Sequence, residues 1–185
     1  MTVEQLAKEL DAIIQKELSE PWDNDGIDVL PTKNAEVTRV LCALDCTSVA
    51  IDIAKKLGCN VIVTHHPLVF KPLGEISYND SVGKRVIECI KSGISVISFH
   101  TRLDIMQGGV NDVLADMLGL QSTESFIPYG RIGVIEEQSF DGFADKVASA
   151  LKLDKSTLGL VKAKDTVSRV AVVSGSGKDE IGEVI

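Results

Sequence analysis

Val61-Ile62-Val63-Thr64-His65-His66-Pro67 joins four β-favouring residues to two adjacent imidazoles and a proline. The first four read as a short buried strand. Pro67 has no backbone N–H to give a ladder and ends it. The chain holds 3 histidines, and two stand side by side here. Neutral imidazole is the commonest metal-binding side chain. A His-His pair alone is equally at home as two polar residues closing a strand, so the neighbouring segments must decide.

Upstream, residues 37–44 read as an apolar strand. Asp45 and Thr47 end it, Thr47 offers an N-cap to a helix over 48–57, and Gly58 closes that helix. Downstream, residues 68–79 form a loop long enough to suggest function or mobility. Asp80 or Ser81 caps a helix with Val82, Val86, Ile87 and Ile90 inward, and Gly93 ends it. Residues 94–99 form a third strand that runs into His100-Thr101-Arg102-Leu103-Asp104. Gly108-Gly109 then turns into a helix carrying Val110, Val113, Leu114, Met117 and Leu118, stopped by Gly119. This alternation predicts an α/β fold, a largely parallel sheet with helices on both faces. Ligands of such sheets bind beyond the carboxyl ends of the strands. Asp45, His65, His66, His100 and Asp104 all follow such ends, so all three histidines converge on one edge, and a metal site becomes the better reading.

Around this centre, Thr2 and Gln5 form a capping box before an amphipathic helix with Val3, Leu6, Ala7, Leu10, Ile13 and Ile14 on one face. The loop Pro21-Trp22-Asp23-Asn24-Asp25-Gly26-Ile27 holds the only tryptophan; read alone, it packs Trp22 over the helix end and leaves its acids solvated. Residues 122–128 read as a link to a second part, with strands at 131–135, 157–161 and 167–173, a helix marked by Phe140, Phe143, Val147, Ala148 and Leu151, and a last helix opened by Ser174-Gly175-Ser176-Gly177. The chain thus divides into residues 1–121, an α/β half carrying the histidines, and 122–185, a second βα half. Residues 37–55 laid on 167–185 share about four identities, a weak echo of the kind duplications leave. If it is a duplication, the second copy stops before its histidine strand, and the expectation is a chain shortened at its C-terminus.

The 185 residues carry a net charge of −8, which argues against general phosphate-backbone binding. The N-terminus lacks the basic and apolar regions of a signal peptide, and no apolar run reaches membrane-spanning length. Cys42, Cys46, Cys59 and Cys89 show no C-x-x-C spacing and read as reduced core residues of a cytoplasmic protein. No G-x-G-x-x-G or G-x-x-x-x-G-K-[ST] is present, which disfavours a metal-free nucleotide fold.

Trp22-Asp23-Asn24-Asp25-Gly26, Leu44-Asp45-Cys46-Thr47, Thr64-His65-His66-Pro67-Leu68, His100-Thr101-Arg102-Leu103-Asp104 and Gly108-Gly109-Val110-Asn111-Asp112 occur in that order. Together they resemble the Nif3-like family, the GTP cyclohydrolase 1 type 2 homologues with dinuclear metal centres. The resemblance implies two divalent ions, with His65, His66 and Asp104 as ligands, His100 as a site histidine and Asp45 beside the site. It implies a homo-oligomer. Asp25 stands where the family usually has an apolar residue, and Arg102 where Asn is common. The family's further ligands, a His and a Glu near the C-terminus, have no counterpart after His100.

Two histidines and a carboxylate suit Zn, Fe, Mn, Co or Ni alike. Two such ions, about 3.5–4 Å apart, can share an activated hydroxide. The family's name implies its attack on a purine imidazole ring, ring opening and loss of formate. Asp45 or a backbone carbonyl could fix each imidazole's tautomer, and Lys71, Arg102 or Arg131 could hold a phosphate. The expected function is a metal-dependent hydrolase of a small molecule, a nucleotide or related compound. The alternative is a non-enzymatic metal-handling or partner-binding protein.

Overall fold

A computed structural model describes residues 1–177, Glu180 and Gly182, and its first element grows from the box of Thr2 and Gln5. Thr2 Oγ1 accepts from the Gln5 backbone N–H and Gln5 Oε1 accepts from that of Thr2, which starts helix α1 (Val3–Ile13). Strand β1 (Gly26–Val29) follows the tryptophan loop. Then come β2 (Val40–Ala43), α2 (Ser48–Leu57), β3 (Val61–Thr64), α3 (Ser81–Lys91), β4 (Ser95–Ser98) and the short α4 (Thr101–Ile105). Thr47 and Asp80 cap α2 and α3 through their side chains. Gly58, at φ 67°, ends α2 in the left-handed conformation that glycine adopts without strain.

The backbone groups into two compact units, Met1–Leu103 and Asp104–Ile185. In the first, the sheet order is β1-β4-β3-β2. β2, β3 and β4 are parallel and β1 is antiparallel to β4, so the sheet is mixed. Alternation along β3 and β4 divides the core. Ile62 and Val96 face Ile51, Ala54, Val86 and Cys89 of α2 and α3. Val61 and Ile97 face Val3 and Ala7 of α1. Helices thus cover both faces, each fully buried aliphatic side chain stabilising the unit by about 1.5–3 kcal/mol. Cys46, Cys59 and Cys89 are buried, as core residues should be, but Cys42 on the edge strand β2 is exposed.

The second unit begins with α5 (Val110–Met117), then β5 (Gln121–Ser125), β6 (Arg131–Ser139), α6 (Phe140–Ala150) and β7 (Thr166–Val172). Its sheet, β5-β6-β7, is antiparallel throughout. Ala115, Leu118, Leu120, Ile135, Val170 and Val172 form its core, with Leu114, Phe143 and Val147 against them. Two expectations fail here. Residues 121–125 are an edge strand rather than a link; all five are exposed, so no hydrophobic alternation announces it. Residues 157–161 form no strand: Asp154 caps a 3-10 turn at Lys155–Thr157, and β6 already has neighbours on both sides. In α5 the buried residues are Asn111 and Ala115, while Val113 and Met117 are about half exposed. The helix expected beyond Gly177 lies outside the described residues. Among those described, no helix is long and apolar enough to cross a membrane.

Candidate metal centre

Parallel register brings the histidines level. Thr64 pairs with Ala43 on one side and Ser98 on the other. Two further backbone bonds carry the ladder past the strand ends, His66 N–H to the Leu44 carbonyl at 3.0 Å and Phe99 N–H to the Thr64 carbonyl at 2.9 Å. Thr64 Oγ1 donates to the His66 carbonyl at 2.8 Å and pins the turn that exposes both imidazoles. His100 follows β4 at the same edge. The ring centroids of His65 and His66 are 4.8 Å apart, those of His65 and His100 5.4 Å, and those of His66 and His100 5.7 Å. One nitrogen from each ring lies within 4.8 Å of the other two, a grouping that could hold a metal ion.

Each ring has its Nδ1 on an oxygen. His65 Nδ1 is 3.1 Å from the Phe99 carbonyl, His66 Nδ1 is 2.8 Å from Asp45 Oδ1, and His100 Nδ1 is 2.9 Å from Asp23 Oδ1. A carbonyl or an ionised carboxylate can only accept, so in each of these contacts Nδ1 is the donor. Histidines that ligate metals commonly give their other ring N–H to a carboxylate or carbonyl in this way.

The three anchors differ in environment. His66 and Asp45 have side chains 46% and 47% exposed. Asp23 has a side chain with no exposure. Burial opposes its charge, but the Thr101 and His100 hydrogen bonds outweigh it and hold its pKa below the usual carboxylate value. Thr101 supplies two of those bonds, from Oγ1 at 2.6 Å and from the backbone N–H at 3.1 Å. The solvated-acid reading of the tryptophan loop is therefore overturned. Trp22 also turns away from that reading: it is 59% exposed, and its ring stands edge-on to Phe70 and His100 at 6.1 and 6.3 Å.

Asp25 is equally enclosed. Its Oδ2 accepts from Arg102 Nε at 2.8 Å and from the His100 backbone N–H at 3.3 Å, while Lys16 and Ser19 hold Oδ1. Arg102 is fully buried, bonded also to Asp11 and the Ile14 carbonyl, with its guanidinium over the Phe99 ring. It is structural and not available to a phosphate. The two residues that depart from the resembled family's pattern, Asp25 and Arg102, thus pair with each other.

In the second unit, Asp104 Oδ1 accepts from Ser174 Oγ at 3.0 Å. The Asp104 carbonyl accepts from Asn111 Nδ2 at 3.1 Å, and Asn111 also binds Ser174 through both of its side-chain atoms. Arg131, also buried, is bound by Asp112 and the Gly130 and Ile105 carbonyls, so it too is not a free cation. Sequence reasoning missed Asp23 and Thr101 as histidine-orienting residues. The signal lay in Asp23 standing beside the only tryptophan, but the partner is 77 positions away.

The family model Duf34/NIF3 (NGG1p interacting factor 3) matches residues 1–185. A "GTP cyclohydrolase 1 type 2 homolog" of Clostridium perfringens is 31% identical over 180 residues, covering 90% of this chain and 66% of that protein. One of the same name from Lactococcus lactis is 32% identical over 182 residues, covering 96% of this chain and 70% of that protein. This chain therefore spans about two thirds of each. The crystal structure of a Bacillus cereus protein related to NIF3 superposes with a TM-score of 0.90 at 23% identity, covering 100% of this chain and 79% of that one; it bears on the fold alone.

Proposed function

The chain belongs to the Duf34/NIF3 family, and from that premise we propose that it binds divalent metal through His65, His66 and His100 and is a metal-dependent hydrolase of a small molecule. The observation that carries the reading is the convergence of the three rings: each holds its Nδ1 against an oxygen, and one nitrogen of each lies within 4.8 Å of those of the other two. The donor set fits Zn, Fe, Mn, Co or Ni, which imidazole suits. Asp104 joins the proposal as the carboxylate of the motif His100-Thr101-Arg102-Leu103-Asp104. When bound, the metal supplies a hydroxide at neutral pH and polarises the substrate. The chain's own residues orient that chemistry. Asp23 and Thr101 fix His100, Asp45 fixes His66, and the Phe99 carbonyl fixes His65.

Metal analysis of the protein after dialysis against each candidate ion tests the binding. His65→Ala and His100→Ala should each lower occupancy sharply, and unchanged occupancy in both would refute the ligand assignment. Formate release from GTP, and hydrolysis of related nucleotides, test the enzymatic part. Metal bound without turnover of any of them favours the second reading, a metal-dependent partner-binding protein. Exposed Trp22 and Phe70 beside His100 support that alternative, since such rings suit protein contacts. Assembly into a homo-oligomer belongs to either proposal and is read by light scattering.

A further inference from the structure

Beside His66, wholly within the first unit, lies a cavity of 520 Å³, a volume typical of small-molecule sites. His66 and Asp45 stand in one wall, the 68–79 loop brings Phe70 and Lys71, and α3 brings Arg85. Arg85 is held in place by backbone alone. Its Nε donates to the Ser81 carbonyl at 3.0 Å and its Nη1 to the Cys46 carbonyl at 3.1 Å. Two such contacts fix the guanidinium plane, and among the described residues no ion pair occupies it. The fork that remains matches a carboxylate or phosphate. Phe70 is 41% exposed, and its ring centroid stands 5.8 Å from that of His100. It offers a flat apolar face between the cavity and the histidines.

Three carboxylates also line the space, Asp45, Glu75 and Asp80. Each is engaged, on His66, Ser77 and the Gly83 N–H respectively. Against the two cations Lys71 and Arg85 they leave the lining with one more acid than cation, which disfavours a polyanion.

We propose that this cavity binds a small aromatic compound bearing a single phosphate or carboxylate. The anionic group sits on Arg85 and Lys71, the ring lies against Phe70, and the other end of the molecule is directed to His66. The proposal deepens the metal-dependent reading and rests on it only for what happens at that far end.

The test is calorimetric titration of the full chain, chelator-treated and zinc-loaded, with phenyl phosphate, inorganic phosphate and phenol. Phenyl phosphate should bind the chelator-treated protein at least ten-fold more tightly than either fragment. Arg85→Met should weaken it by about ten-fold or more, as loss of a charged hydrogen bond does. Lys71→Met, at an exposed position that folding does not depend on, should weaken it several-fold and decides the matter if the Arg85 variant unfolds. Wild-type affinity in both cation variants, or phenyl phosphate binding no tighter than phosphate, overturns the proposal. Failure of zinc to bind while phenyl phosphate behaves as stated overturns the metal reading and leaves this one standing.

Discussion

Removing the Asp25 carboxylate should destabilise the first unit far more than an ordinary loop substitution. In Asp25→Ala, Arg102 keeps its side chain at 0% exposure and loses the Nε contact at 2.8 Å. It retains Asp11, 42% exposed, at 2.6 Å, and the Ile14 carbonyl at 2.9 Å. Its Nη2 already lacks a hydrogen-bond partner. Breaking a buried pair from one side costs about 3–5 kcal/mol, and the surviving Asp11 contact places this case near about 3 kcal/mol. Arg102→Asn should cost less, about 2 kcal/mol on the same scale, because Lys16 and Ser19 still hold Asp25. Replacing both, Asp25→Ala with Arg102→Asn, removes the stranded charge altogether. The double variant should therefore lose about 2 kcal/mol less than the sum of the singles. Urea unfolding followed by circular dichroism measures all three free energies. Additivity within about 0.5 kcal/mol, the range expected of independent sites, would refute the claim that these residues form one unit. The pair also predicts an acid limb. Burial opposes the Asp25 charge, but Lys16 and Arg102 outweigh it and lower its pKa. Its contribution is thus present above the unfolded carboxylate pKa and is lost as pH falls through the lower folded value.

Three further outcomes follow from the same contacts. Asp23→Ala frees Nδ1 of His100 and should weaken metal binding by about 10–100-fold, whereas Asp45→Ala, on a half-exposed pair, should cost less; competition with a chromogenic chelator ranks them. Gly83→Ala would place a methyl group 2.8 Å from the Ser77 backbone nitrogen, so the 68–79 loop must shift, seen as faster proteolysis within it and as about 1–3 kcal/mol of lost stability. Asp28 is pushed up to about 6 by burial, against the Leu68 N–H and Ser98 hydrogen bonds. A raised carboxylate pKa stabilises below the unfolded value and loses that contribution as pH rises through the folded one. Asp28→Asn should therefore be near neutral at pH 4 and relieve on the order of 2 kcal/mol at pH 7, read from paired unfolding curves; equal effects at both pH values would count against it.

The parallel core was legible because its signals are local. Val61–Thr64 alternates toward helices on both faces, Thr47 and Asp80 cap where caps are needed, and Gly58 and Gly93 stop the helices they follow. What failed to read lacked a local signal. β1 is four residues with a glycine and an aspartate among them, and it becomes a strand because β4 offers an antiparallel edge. β5 is polar at every position and is defined by its pairing with β6. Residues 158–161 are apolar enough to suggest a strand but pair with none of the three strands of that sheet.

At the candidate metal centre the histidines declared themselves by following three successive strand ends, and topology did the rest. The residues that prepare them did not. Asp23 and Asp25 sit in a sequence with every mark of a solvated turn, and local rules assign them to water. They are buried because His100, Thr101 and Arg102 arrive from the far end of β4 carrying the donors that two enclosed carboxylates require. A turn rich in acids is informative when the chain elsewhere supplies buried cations and N–H groups that a carboxylate can satisfy, and Arg102 is such a group. Asp25 and Arg102 were each visible as a departure from the family's pattern, and read together, they would have marked a contact before any coordinates existed. The same reasoning separates the roles of the chain's arginines. Arg102 and Arg131 are consumed by carboxylates of their own units, while Arg85 is anchored by two carbonyls and, among the described residues, by no ion pair.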